Sequence, residues 1–173
     1  MIYFTSDLHF KHDNVIKHCN RPFINTEEMD KRLIENWNKT IKQHDEVYIL
    51  GDITMKGWPT ANEVLKSLKG RKYLIKGNHD AFCEHSNFDK DLLEWVKDYH
   101  MLKYQNLEFI LFHFPILTWH KKHYGSIHLH GHIHSDINYN LDAIEQRRFR
   151  FDVGVDANNY RPVSIDEVIS WVL

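Results

Sequence analysis

Aspartate, histidine and asparagine side chains recur at five points in this chain: Asp7-Leu8-His9, Gly51-Asp52, Gly77-Asn78-His79-Asp80, His113 and Gly131-His132-Ile133-His134. Each follows a short apolar run. Asp7 and Asp52 offer carboxylates, His9, His113, His132 and His134 offer imidazoles, and Asn78 offers a carbonyl oxygen. No thiolate belongs to the set. Such a nitrogen and oxygen donor set suits Mn, Fe, Zn or Ni. It holds too many histidines for a Ca²⁺ or Mg²⁺ cage. Gathered in one place, these residues have the chemistry of a two-metal hydrolytic centre. The i, i+2 spacing in Asp7-Leu8-His9 and His132-Ile133-His134 predicts extended segments that project both ligands to one side, with Leu8 and Ile133 turned away.

The elements that must position them are short. β-Branched and aromatic runs predict strands over Ile2–Thr5, Glu46–Leu50, Lys72–Ile75, Glu108–Phe112 and Ser126–Leu129, with a later strand or strand pair over Phe149–Val155. Met101–Gln105 is expected to form a hairpin with Glu108–Phe112 across Asn106-Leu107. A helix is predicted from Thr26 to Lys42, burying Leu33, Ile34, Trp37 and Ile41. Thr60 with Glu63 and Ser164 with Glu167 read as capping boxes, the second with a Val163–Val168 staple. Asp13 or Asn14 would cap a short helix through Ile16. Trp37, Trp95 and Trp171 read as core, and His128 and His130 as packed strand residues. Every ligand motif falls at the carboxyl end of its strand, the edge where sites form in open α/β sheets. Gly51, Gly77 and Gly131 precede the ligands, where glycine allows close backbone approach.

The ordered set of DLH, GD, GNHD, a lone histidine after a strand, and GHIH resembles the calcineurin-like metallophosphoesterases. Arg21-Pro22-Phe23, Gly154-Val155-Asp156-Ala157 and Tyr160-Arg161-Pro162-Val163-Ser164 resemble a compact microbial and phage branch of that superfamily. The resemblance implies an α/β fold: a four-layer αββα sandwich of two mixed β-sheets flanked by helices. It implies two divalent metal ions, one on Asp7, His9, Asp52 and His134, the other on Asp52, Asn78, His113 and His132. Asp52 and a hydroxide would bridge them, the hydroxide as nucleophile and His79 as general acid. Two divalent ions, two carboxylates and one hydroxide leave the centre at about +1, which attracts an anionic phosphoester. Related protein phosphatases read GDxxDRG. Here Met55 stands where their acid supports the catalytic histidine and Lys56 replaces an arginine, which weakens a protein phosphatase reading and leaves Asp80 as the expected partner of His79. Lys11 stands where the branch has glycine. His12, Arg21 and Arg161 are candidate substrate contacts, arginine because its fork matches phosphate.

The chain has 173 residues, a formal net charge of −2 and 14 histidines, seven of them between His113 and His134. The length fits a single domain over residues 1–173. The charge argues against a protein built for bulk nucleic-acid neutralisation, although His120-Lys121-Lys122-His123 and Arg147-Arg148-Phe149-Arg150 are local basic clusters. Cys19 and Cys83 have no CxxC spacing and read as unpaired thiols. No run approaches the roughly 18 apolar residues of a membrane span, and a cytoplasmic enzyme is expected. The substrate is a phosphoester, monoester or diester, with a nucleotide or single-stranded nucleic acid among the candidates. The rivals are a nuclease or RNA-end phosphatase using the same metals, and a non-catalytic scaffold of the same fold. His79 argues against the scaffold.

Overall fold

The computed structural model describes residues 1–173. Five strands form the first sheet: β1 (Ile2–Thr5), β2 (Glu46–Ile49), β3 (Arg71–Ile75), β4 (Trp95–Lys97) and β9 (Val163–Ser164), ordered β4-β3-β2-β1-β9. β1 to β4 run parallel and β9 is antiparallel to β1. The second sheet holds β5 (Tyr99–Tyr104), β6 (Leu107–Phe112), β7 (Ile127–His130) and β8 (Arg150–Asp152) in sequential order. Only β5 is antiparallel there. Both sheets are therefore mixed and helices flank them, as expected.

Helices α1 (Asp13–His18), α2 (Thr26–Thr40) and α3 (Trp58–Ser67) accompany the first sheet. α2 and α3 bury Met29, Leu33, Trp37, Ala61, Val64 and Leu65 against Val47, Ile49 and Leu74. The first sheet's other face, with Phe4, Tyr48, Leu50 and Ile75, packs on Phe109, Leu111, Leu129 and Phe151 of the second. The second sheet's outer face carries a thin cover in place of a full helical layer. Trp119 lies 5.3 Å from the buried His128 ring, and Tyr139 of α4 (Ile137–Glu145) donates or accepts at His130 Nε2 over 3.0 Å. Asn140 clasps the edge strand β8, accepting from the Asp152 N–H at 2.9 Å and donating to its carbonyl at 2.8 Å. α5 (Ile165–Ser170) begins with both halves of the predicted capping box at Ser164 and Glu167. No helix is long and apolar enough to cross a membrane.

Several expected details differ. α3 starts at Trp58 after Gly57, with Pro59 in the first turn, so Thr60 lies inside the helix and caps nothing. A proline near a helix start loses no hydrogen bond, which favours that earlier entry. The hairpin pairs Tyr104 with Leu107, so its turn is Gln105-Asn106, one residue earlier than expected, with Gln105 at φ 52°. α1 is preceded by His12 as its N-cap and runs on to His18. α4, β4 and β9 have no counterpart among the predicted elements. Trp37 is fully buried, whereas Trp95 and Trp171 pack at the rim of the inter-sheet core.

Candidate metal centre

The ligand loops extend the strand pairing beyond the strands. Asp7, His9 and Phe10 N–H groups donate to the carbonyls of Gly51, Asp52 and Ile53 at 3.0, 3.0 and 2.9 Å. Ser6 also bridges to Gly154. The loops are not extended, contrary to the spacing argument. Asp7, His9, Asp52, His132 and His134 all have positive φ, between 46° and 72°. Left-handed backbone costs a non-glycine residue about 1–2 kcal/mol. Here it is held at five of the seven expected ligands. Alternate residues still point the same way because each pair shares the same unusual conformation.

Two groups of side chains meet at this edge. Asp7, His9 and His134 form one, and Asp52, His113 and His132 form the other. Asp52 joins them, since its Oδ2 lies 3.6 Å from His9 Nε2 and 3.5 Å from His113 Nε2. Asp7 Oδ1 is 3.9 Å from His9 Nε2 and 3.8 Å from His134 Nε2. Asn78 Oδ1 lies 3.0 Å from His113 Nε2 and 3.1 Å from His132 Nδ1. Asp7, His9, Asp52 and His113 are buried, while Asn78 and His132 are exposed. The cluster thus runs from a protected floor to an open rim. The molecule's four main cavities, of about 290 to 400 Å³, are lined by other residues.

Two ligand histidines are held from behind. His113 Nδ1 donates to the Leu50 carbonyl at 2.6 Å, and His134 Nδ1 donates to Asp156 at 2.8 Å. Each bond leaves Nε2 as the lone pair facing the cluster. Burial and then the neighbouring positive groups push His9 down to about 2, so its imidazole is neutral. Burial raises the Asp7 carboxyl to about 7. For His134 burial acts downward, but hydrogen bonds with Asp156 and Cys19 and the charges of Asp7 and Asp156 carry it up to about 10. This corner therefore attracts positive charge, and a divalent cation competes there with a proton. Asp7 Oδ1 and His9 Nε2 are buried with no hydrogen-bond partner. Buried polar atoms are rarely left so, and facing acceptors of this kind fit a cation between them.

The other expected site residues fall into distinct places. His79 stands partly exposed beside His9, ring centroids 5.6 Å apart, and its N–H donates to Asp52 Oδ1 at 3.0 Å. Asp80 does not reach that ring. Its buried carboxylate accepts from the N–H groups of Asp52, Ile53 and Gly77 at 2.8, 2.9 and 2.9 Å, binding two ligand loops together. His12 Nδ1 lies 3.3 Å from His9 Nδ1. Arg21 is buried, its guanidinium doubly bonded to Asp156 at 2.8 Å and donating to the carbonyls of Asp7 and Leu8 at 2.7 and 3.1 Å. It faces the back of the ligand loop, not the rim. Arg161 pairs with Glu167 at 2.6 Å, and Lys11 pairs with Glu63 at 2.6 Å.

Two acids carry roles that sequence reasoning missed. Asp156 holds His134 and Arg21 together. Asp152 accepts from Ser135 Oγ at 2.6 Å and from the Gly154 N–H at 2.7 Å, fixing the chain just after His134. Asp156 lies in the Gly154-Val155-Asp156-Ala157 motif, so the signal was present without its partner. Cys19 and Cys83 are both free.

A family model described as calcineurin-like phosphoesterase matches residues 1–167. An uncharacterized protein of Methanocaldococcus jannaschii is 37% identical over 173 residues, covering 99% of this chain and 90% of that protein. The Gene 66 protein of Mycobacterium phage L5 is 30% identical over 198 residues, covering 98% of this chain and 93% of that one. Among solved structures, a protein of unknown function from Aquifex aeolicus superposes with a TM-score of 0.77 at 26% identity, over 98% of each chain.

Proposed function

Since this chain belongs to the calcineurin-like phosphoesterase family, we propose that it is a metal-dependent phosphoester hydrolase. In this reading Asp7, His9, Asp52 and His134 would hold one divalent cation, and Asp52, Asn78, His113 and His132 would hold the other. The observation that carries it is the pair of buried, partnerless atoms Asp7 Oδ1 and His9 Nε2 inside a converging ligand set. Mn, Fe, Zn and Ni suit these donors. Bound there, such ions supply Lewis acidity toward phosphoryl oxygens and acidify water enough to give a nucleophile near neutral pH.

The chain's own residues provide the rest. Leu50 and Asp156 fix the tautomers of His113 and His134, so neither ring must reorient when a cation arrives. Asp80 locks the Asp52 and Gly77 loops to each other. The His79 backbone is tethered to Asp52 while its ring stays at the rim. We assign that ring to donate a proton to the departing ester oxygen.

The test is a panel of phosphomonoesters and phosphodiesters with Mn²⁺, Ni²⁺ or Zn²⁺, run beside a chelated control and Asp52→Asn. Hydrolysis that needs metal, and that disappears together with metal binding in Asp52→Asn, is expected. A wild-type protein inert toward every ester with every metal, or an Asp52→Asn variant that keeps metal-stimulated hydrolysis, contradicts the reading.

A further inference from the structure

His113 opens a loop that ends at a different feature. Residues 114–125 cross the outer face of the second sheet, with Trp119 Nε1 donating to the Ser126 carbonyl at 3.1 Å. At the far end Trp119, Lys122, Arg147, Arg148, Phe149 and Arg150 line a cavity of about 400 Å³. No carboxylate lines it. Lys121 next door pairs with Glu108 at 2.7 Å, the common fate of a surface lysine. None of the four cations of the cavity does likewise. Lys122 donates to the Leu117 carbonyl at 2.7 Å and lies 4.9 Å over the Trp119 ring. Arg150 donates to the Ile116 carbonyl at 3.1 Å. Arg148 lies 5.8 Å over Tyr139, with Nε buried and partnerless. Arg147 and Phe149 hold left-handed backbone at φ 49° and 43°. Four uncompensated cations in one cavity, in a chain of net charge −2, favour an anion there.

We propose that this cavity grips a backbone phosphate of a single-stranded oligonucleotide whose scissile ester lies at the metal centre, an inference that rests on the hydrolase reading. Arg150 stands beside His128 in the β7–β8 register. β7 carries the chain from His128 to His130, roughly 7 Å of extended backbone, and the turn bearing His132 follows. A short polynucleotide following this strand spans both places. The guanidinium fork matches phosphate oxygens. Phe149 offers a ring face on which a base stacks whatever its identity.

Two measurements test it. The first is fluorescence anisotropy of a labelled, hydrolysis-resistant phosphorothioate oligothymidylate on the metal-loaded protein, across salt concentrations. The second is steady-state hydrolysis of bis(p-nitrophenyl) phosphate. Arg147→Glu and Lys122→Glu are each expected to weaken oligonucleotide binding about tenfold or more. The slope of log affinity against log salt should flatten by about 0.7 for every phosphate the variant no longer neutralises. Hydrolysis of the small diester should stay unchanged in both variants, which also verifies that they fold. Unchanged oligonucleotide affinity in both variants overturns the proposal. So does an inorganic polyphosphate that competes as strongly as the oligonucleotide, because the cavity would then be a general polyanion patch. An active enzyme whose oligonucleotide binding ignores Arg147 removes the cavity and keeps the hydrolase. A protein inert toward every ester that still binds the oligonucleotide through Arg147 removes the hydrolase, and with it the proposed placement of the scissile ester.

Discussion

His134 shows how a candidate ligand depends on the residues behind it. Asp156 accepts its Nδ1 proton at 2.8 Å and is itself gripped by Arg21, which also ties the Asp7 and Leu8 carbonyls. Asp156→Asn is expected to weaken metal binding about 10–100-fold while leaving kcat at saturating metal nearly intact. Calorimetric titration showing unchanged affinity would refute that role. Arg21→Met leaves the buried Asp156 carboxylate with only His134 as partner, a loss short of the about 3–5 kcal/mol of a fully unpaired buried charge. A denaturant midpoint that barely moves would show that the pair is not a brace. His79→Ala should keep its metal and lose about 10²–10⁴-fold in kcat, most for esters with poor leaving groups. Equal loss for good and poor leaving groups would count against His79 as the acid. The candidate metal ligands were legible because their types are rare together and each follows a strand. The Asp156 role was not, because it depends on a contact between residues 22 positions apart in the chain. Arg21 suited phosphate by chemistry alone, and only the fold reveals that its donors are already engaged.

The ligand loops are built tightly enough that glycine has a steric task at Gly131. A Cβ there would collide with Ser6 Oγ and the Asp7 carboxylate. Gly131→Ala should therefore displace Asp7 and cut metal affinity. Gly125→Ala is the control, since its Cβ meets open space and only the left-handed backbone costs, about 1–2 kcal/mol of stability. Normal metal affinity in Gly131→Ala would overturn this packing account. Strands and their order of ligands were readable from apolar runs. The i, i+2 spacing marked residues that do converge, but not through extended backbone, because the left-handed turns at Asp7 and His9 arise from pairing with residues 51–54 and leave no local mark in the sequence. α4 was missed because its packing is partly polar, through Asn140 and Tyr139, which blurs the apolar stripe.

Across the whole molecule, two sheets share one apolar layer and the second sheet's outer face is closed partly by buried histidine. His128 is fully buried, and burial lowers it to about 4. Its pKa is lower folded than unfolded, so the unfolded chain takes up the proton first. Its contribution is complete above about 6.5 and is lost as pH falls toward 4, on the order of 3 kcal/mol in all. His128→Gln should flatten the acid side of the stability profile between pH 6.5 and 4. An acid limb as steep as that of the wild type would assign the effect elsewhere. Strand runs alternating with helices early and clustering late predict only a mixed sheet arrangement with helices outside, and the two sheets came from the family resemblance; the thin outer cover had no such signal, since a loop bearing one tryptophan has no periodicity to read. Residues from five separate loops are proposed to hold a pair of cations. Crystals soaked in Mn²⁺ should give two anomalous peaks about 3.5–4 Å apart, one against Asp7, His9 and His134, the other against Asn78, His113 and His132, with Asp52 reaching both. A single peak, or peaks away from these side chains, would contradict it.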